Sequence, residues 1–386
     1  MATPQAVHAI HLNRGAQALL ELPAFREAAA ADLDGQETLK RLEPAWDLLA
    51  AESGSPTQHY IWTAAFAETY GDTRLTRLLT VGPQSRPSAL AALTQEAGFP
   101  GRLETLGVRE FYEPTDFVYA DAGAARALAD ELAREGGPVS LRRLPADSPL
   151  VAALRAAYRG RGVVLVRPTH GCPYIELDPS WSQPESRFNS RRRSDFRRAL
   201  RHAERLGKVT LEVRVPDPFE LPALLDEAWA AEAAGWKGIN GSALAREPRR
   251  GEFFRRYALA ACRKGILRLC FMRIDGRAVA MQFATECAGR FWLLKIGYDE
   301  TFEHCSPGTL LMLHTVAYAA RRGLRSYEFL GCAAPWTEVW TRSLRECVAV
   351  RAYPFTARGL AGLLTDGAAF ARRRWLALKG ERDRAK

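Results

Sequence analysis

The chain has 386 residues, 47% of them hydrophobic, and a formal net charge of +10. That length exceeds one ordinary domain of roughly 100–200 residues, so it predicts two, each with apolar material enough for its own core. The basic balance suits a polyanionic partner (nucleic acid, an anionic membrane surface or a phosphate-rich cofactor) and does not choose among them.

The seven cysteines are odd in number and contain no Cys-x-x-Cys pair. This argues against a disulfide framework and a structural zinc site. The chain opens without a basic region followed by a continuous apolar stretch, and no apolar run approaches the roughly 18 residues of a membrane span. A soluble, cytoplasmic protein without a metal is the expectation.

In chain order, residues up to about 35 are Ala-rich and weakly patterned. Leu39, Leu42, Trp46 and Leu49 have helical spacing. After a turn at Ser53-Gly54-Ser55-Pro56, a helix is predicted over 60–70, ending at Gly71. Strands follow at 75–81 and 117–119, a helix over 122–135 stopped by Gly136-Gly137-Pro138, and a strand at 139–141. A helix over 150–158 and the β-branched run 162–166 close the first half.

The second half begins near Thr169, with a strand at 174–177. Over 189–206, Phe196, Leu200, Ala203 and Leu206 form an apolar stripe, with Asn189 or Ser190 as N-cap. Arg192, Arg193, Arg197, Arg198, Arg201 and Arg205 lie largely off that stripe, so this reads first as an amphipathic surface helix. A strand at 209–215 and helices over 221–234 and 253–264 come next. Strands at 267–274, 278–286 and 291–298 follow, the first two joined by Asp275-Gly276, a strong hairpin signal. A helix over 309–322 leads to a strand at 326–330. The tail after Phe355 is Gly/Ala-rich and ends in a basic segment over 372–386. The two halves share this layout, which points to tandem duplication.

The chemistry concentrates in 291–331, a strand–loop–helix–strand unit that implies parallel neighbours in the sheet. The loop is Ser306-Pro307-Gly308-Thr309. Gly308 lets a ligand approach the backbone, and the start of the helix offers N–H groups and a positive dipole end to an anion. Lys295 falls within an apolar strand, Asp299 and Glu300 stand at its C-terminal end, and Glu328 lies in the next strand. Ligands of open α/β sheets sit outside such strand ends. A carboxylate there could take a proton from an acceptor ammonium. Adjacent His304 and Cys305 point apart and do not read as a nucleophilic pair.

Three stretches, GWKGINGSAL (235–244), KIGYDETFEHCSPGTLL (295–311) and SYEFLG (326–331), resemble GNAT-superfamily acyltransferases of the exopolysaccharide and cellulose-biosynthesis type. These are similar in fold to the Fem-type aminoacyltransferases, which carry two GNAT-like domains. The resemblance implies an α/β (α+β) fold of tandem GNAT-like domains, each a mixed twisted sheet flanked by helices. The expected division is a degenerate or structural domain over 1–168, a catalytic domain over 169–360 and a basic tail over 361–386.

It further implies that an acyl-CoA lies between two splayed parallel strands. A backbone N–H near Lys295 or Ile296 would polarise the thioester. The amides of Ser306, Gly308, Thr309 and Leu310 would hold the pyrophosphate. Asp299, Glu328 and Lys295 are the candidate catalytic groups. Trp236, Lys237, Tyr298 and Trp336 would form the acceptor side. The family's usual Q/R-x-x-G-x-G/A phosphate loop is absent, and the stretch Ala334-Pro335-Trp336-Thr337-Glu338-Val339-Trp340 stands where many relatives place an aromatic-Lys pair.

The expected function is transfer of an acyl group from a thioester to an amine of a sugar, amino acid or peptide. A Fem-like donor, aminoacyl-tRNA, and a non-catalytic role in a biosynthetic assembly are the alternatives. A nucleic-acid partner is less expected, because no RNA-binding signature accompanies the Arg run.

Overall fold

The computed structural model describes residues 7–12, 37, 39–51, 54–83, 85–235 and 247–384. In the N-terminal portion the elements are β1 (Val7–Leu12), α1 (Glu43–Ala50), α2 (Tyr60–Tyr70), β2 (Leu75–Val81), β3 (Ala89–Gln95), β4 (Leu103–Thr105), β5 (Val118–Tyr119), α3 (Ala122–Arg134), β6 (Val139–Pro145), α4 (Pro149–Ala157) and β7 (Gly162–Glu176). Then come α5 (Ser190–Leu206), β8 (Val209–Arg214), α6 (Leu221–Ala233), α7 (Pro248–Arg263), β9 (Leu267–Ile274), β10 (Arg277–Cys287), β11 (Arg290–Tyr298), α8 (Pro307–Arg321), β12 (Ser326–Glu328), α9 (Pro335–Glu338), β13 (Leu344–Pro354) and α10 (Ala357–Arg384).

These elements form two compact units, each discontinuous in sequence. The first takes residues 1–49, 71–170 and 346–386; the second takes 50–70 and 171–345. Compared with halves cut at 168, the units trade segments. Helix α2 joins the second unit because Trp62 packs edge-on against Phe253 (4.8 Å) and Tyr257 (5.2 Å) of α7. The C-terminal segment joins the first unit, where β13 pairs antiparallel with β6. The basic tail expected over 361–386 belongs to a 28-residue helix, α10.

The units repeat one topology. In the first, the strand order is β1-β2-β3-β4-β6-β13-β7. Strands β1 to β4 are antiparallel neighbours, and β4 then pairs parallel with β6. In the second, the order is β8-β9-β10-β11-β12-β7. Strands β8 to β11 are antiparallel, and β11 pairs parallel with β12. The helix before each parallel strand is α3 in the first unit and α8 in the second, as parallel neighbours require a crossover. The next partner beyond that parallel strand is β13 for the first unit and the 171–176 part of β7 for the second, each antiparallel. The layout expected to repeat in the two halves is present as matched strand order.

Local chemistry fixes the registers. Asp275 (φ 47°) and Gly276 (φ 84°) both lie in the left-handed region, as a two-residue hairpin turn needs. Asn189 caps α5 through a side-chain oxygen that accepts from the Arg192 amide at 2.9 Å. Phe196 and Ala203 of α5 are buried, but Leu206, expected on the same stripe, is 45% exposed because the helix ends there.

Each unit has its own core. In the first, Leu79, Leu93, Leu128, Leu141, Leu154 and Val350 meet between the sheet and α3 and α4. In the second, Phe196, Met272, Phe291, Leu311, Val316 and Tyr327 meet under α5 and α8. All seven cysteines are free thiols. Among the described residues, no helix is long and apolar enough to cross a membrane.

Candidate active site

The second unit's sheet opens at one place. Strands β11 and β12 are paired only through Arg290–Ser326, Phe291–Tyr327 and Trp292–Glu328. Strand β12 stops at Glu328, while β11 runs on to Tyr298 with Ile296 opposite Gln282 of β10. A cavity of about 410 Å³ lies beside this departure. Its walls come from Gln282, from Ile296, Gly297 and Tyr298, from the 306–312 segment, and from Trp336 and Trp340. Glu232 of α6 and Arg192 of α5 complete it.

Two glycines bring the end of α6 onto β11. A Cβ at Gly297 would sit 2.6 Å from Glu232 Cα and 2.8 Å from its Cβ. A Cβ at Gly235 would sit 2.5 Å from the Tyr298 carbonyl oxygen. Only residues without a side chain permit that approach. It holds Glu232, 2% exposed, in the cavity wall. Glu232 was not among the expected site residues. A signal for it exists: it follows Leu225 by seven positions and Trp229 by three, which puts a carboxylate on the buried stripe of an amphipathic helix.

The start of α8 is built as a tight turn. Ser306 adopts φ 46° and ψ 52°, a left-handed conformation seldom used by serine. Its amide donates to the Glu303 carbonyl at 2.8 Å. The amides of Thr309 (3.0 Å) and Leu310 (3.2 Å) both donate to the Ser306 carbonyl, and Pro307 has no N–H. Of the expected anion-binding amides, Gly308 alone keeps its N–H without a partner among the described residues. A Cβ at Gly308 would meet only the Tyr298 ring, at 3.6 Å, so the protein itself does not require glycine there.

Polar groups converge on the cavity from the sheet. The Tyr327 hydroxyl donates to Gln282 Oε1 at 3.2 Å and lies 3.1 Å from the Thr315 hydroxyl. That bond turns the Gln282 amide nitrogen toward Met312, whose sulfur, 3.8 Å away, is a weak acceptor. Gln282, 2% exposed, thus carries an under-used N–H pair at the cavity. Burial and the carboxylates of Glu300 and Glu303 push the Tyr298 phenol above its ordinary value, so it stays protonated at neutral pH.

The other expected residues stand elsewhere. Asp299 is 3% exposed, pairs with Arg277 and accepts from the Thr301 amide at 3.0 Å, capping a short 3-10 helix. Glu328, 2% exposed, pairs with Arg345 at 2.9 Å and accepts from the Ser326 hydroxyl at 2.6 Å. The Lys295 ammonium lies 4.8 Å from the centre of the Phe254 ring. None of Lys295, Asp299 and Glu328 lines the cavity, whereas Tyr298 and Trp336 do. Leu310 is buried in the core. Trp236 and Lys237 lie outside the described residues. His304 stacks edge-on with His202, and Cys305 is buried.

Residues 190–338 match the family model of the acetyltransferase (GNAT) domain. No curated protein matches the chain in sequence. Three solved structures are similar across most of their length. The C-terminal domain of a protein described as a lysylphosphatidylglycerol synthetase from Agrobacterium fabrum is 12% identical, with a TM-score of 0.53 over 86% of this chain and 95% of that one. FemX is 13% identical, with a TM-score of 0.52 over 83% and 96%. A conserved protein from Bacteroides thetaiotaomicron is 11% identical, with a TM-score of 0.50 over 82% and 97%. These likenesses are of fold; the family match over 190–338 and the repetition of that topology in the first unit make the class α/β with tandem GNAT-like units.

Proposed function

We propose that the second unit transfers an acyl group from a thioester, acyl-CoA, to an amine of a sugar, amino acid or peptide. The observation that carries this reading is the parting of β11 from β12 beside a cavity that also receives the first turn of α8. The thioester arm enters that gap, and the Gly308 N–H, with the dipole end of α8, meets the pyrophosphate. Ser306, Thr309 and Leu310 shape this turn. The carbonyl is polarised from Ile296 and from the Gln282 amide.

The acceptor ammonium gives a proton to Glu232, the freed nitrogen attacks the carbonyl carbon, and the carbon–sulfur bond breaks as the carbon–nitrogen bond forms. The departing thiolate takes a proton from the Tyr298 phenol, and the new nitrogen, still carrying one proton too many, returns one to the Tyr298 phenolate to leave the neutral amide. Trp336, with Tyr298, contacts the acceptor. The roles proposed for Lys295, Asp299 and Glu328 are to hold the strand ends that frame the gap. Membership of the exopolysaccharide-associated type is part of this proposal and rests on the three resembling stretches.

A second reading, an aminoacyl-tRNA donor, is favoured by exposed Arg191, Arg192, Arg197, Arg198 and Arg201 on α5, with Arg192 reaching the cavity. Calorimetric titration with CoA, acetyl-CoA and a long-chain acyl-CoA separates the two. Micromolar binding, weakened at least tenfold in Gly308→Asp and kept in Gly308→Ala, is the expected result. Folded protein that binds none of them but is retained on tRNA with a steep salt dependence would overturn the acyl-CoA reading.

A further inference from the structure

Helix α10 packs on its own unit through its first turns. Gly362 lies against Pro138, and a Cβ there would come within 2.8 Å of the proline ring. Asp366 accepts from Arg102 (2.8 and 2.9 Å), Arg351 (3.1 Å) and the Tyr353 hydroxyl. Beyond it the helix changes character. Every residue from Gly367 to Leu376 is exposed, with the Arg167 guanidinium 5.6 Å from the Phe370 ring centre.

At about 100° per residue, Leu360, Leu364, Ala368, Ala371 and Trp375 fall on one stripe. Leu364 is 73% and Trp375 61% exposed, so the stripe faces solvent. Arg372 and Arg374 flank it. Residues 367–384 carry six Lys and Arg against two Asp and Glu. Large apolar side chains held in water, such as Leu364, carry a cost that burial would relieve.

We propose that the outer part of α10 lies in the interface of an anionic lipid bilayer. Its apolar stripe enters the acyl boundary, and the flanking Arg372 and Arg374 reach the headgroup phosphates. Charge favours this occupant over a second copy of the chain. A second copy brings further arginines to a surface already basic, whereas anionic headgroups neutralise them. The tryptophan at the edge of the stripe suits the headgroup level.

The test is sedimentation of the full-length protein with vesicles of phosphatidylcholine, with and without phosphatidylglycerol, at low and physiological salt. The protein is expected to sediment with the phosphatidylglycerol vesicles only. At about fivefold per arginine, Arg372→Gln/Arg374→Gln loses about twenty-five-fold in lipid partition. Leu364→Asp/Trp375→Asp loses at least tenfold. The substituted side chains are exposed, so thermal melts of both variants should match the parent and exclude misfolding. Absence of sedimentation at low salt, or equal binding by the parent and both variants, would overturn the proposal. So would a dimer in light scattering that Leu364→Asp dissociates, because a second copy would then occupy the stripe.

Discussion

Substituting Gly297 by Ala tests the geometry of the site most directly. The added methyl would lie 2.6 Å from Glu232 Cα, 2.8 Å from its Cβ and 3.0 Å from its Cγ. Comfortable carbon contacts are about 3.5–4.0 Å. The overlap is therefore about 1 Å, and it is with a backbone atom that cannot swing aside. Overpacking of this kind costs about 1–3 kcal/mol. The preference of a strand for Ala over Gly returns roughly 0.5–1 kcal/mol. A net loss of about 1–2 kcal/mol is expected, read as a lower urea midpoint at unchanged slope. Relief of the clash also pushes α6 away and moves the Glu232 carboxyl, and a misplacement of about 1 Å costs on the order of a hundredfold in rate. Gly308→Ala is the control, since its methyl would meet only the Tyr298 ring at 3.6 Å. It should leave stability equal or raise it. A Gly297→Ala protein with parental midpoint and parental rate would refute the close approach of α6 and β11.

Glu232→Gln should lower acyl-transfer turnover by about 10²–10⁴, the usual range for a lost general base, with CoA affinity unchanged; a selective loss of CoA affinity would move Glu232 from the proton to the donor. Arg345→Ala leaves the Glu328 carboxylate, 2% exposed, with the Ser326 hydroxyl and the charge of Arg290, and is expected to destabilise by about 2–4 kcal/mol in urea unfolding. Arg345→Lys should recover part of that loss. Asp116 of the first unit is held at a pKa of about 6, chiefly by burial, with the Tyr119 hydroxyl (2.8 Å) and the Phe117 amide (2.7 Å) partly opposing. The folded state therefore binds its proton more tightly than the unfolded state. The stability from this carboxyl is fully present below about pH 4 and is lost as pH rises through 6. Asp116→Asn should flatten that decline by an amount on the order of 2 kcal/mol, measured as the difference between the two proteins' unfolding free energies at pH 4 and pH 7.

What could be read in the sequence was local. Helix α2 runs over the predicted 60–70, the Asp275-Gly276 hairpin joins β9 to β10, and the strand–loop–helix–strand unit around Ser306-Pro307-Gly308-Thr309 is present. Each depends on a turn residue or a period that neighbouring residues display. The short strand β4 and strand β13, which mixes Arg345, Glu346 and Arg351 with valines, were not predicted because distant partners hold them. The runs at 162–166 and 174–177 proved to be one strand, β7, whose middle residues are polar and half-exposed.

At the site, the loop was legible but the carboxylate was not. Asp299 and Glu328 sit where ligands usually bind, yet Arg277 and Arg345, far away in sequence, occupy them. Glu232 is brought to the cavity by two glycines, one on a different element, and spacing along α6 reveals only its burial. Gln282 was equally readable as a polar residue inside an apolar strand, and equally easy to pass over as core.

The discontinuity of the units bears on how the chain is made. The first unit's sheet receives β13, its neighbour to β6, only after residues 171–345 have been synthesised. The second unit has all of its segments by residue 345, since α2 and β7 precede the rest of it. On the ribosome, where domains fold as units as they emerge, the later-encoded unit is therefore the first that can be completed. The earlier one must wait as an open sheet with an unpaired strand at β6, the kind of edge that invites wrong partners. Cells that make this protein face their greatest aggregation hazard in that interval, and slower translation between β6 and β13 should deepen it.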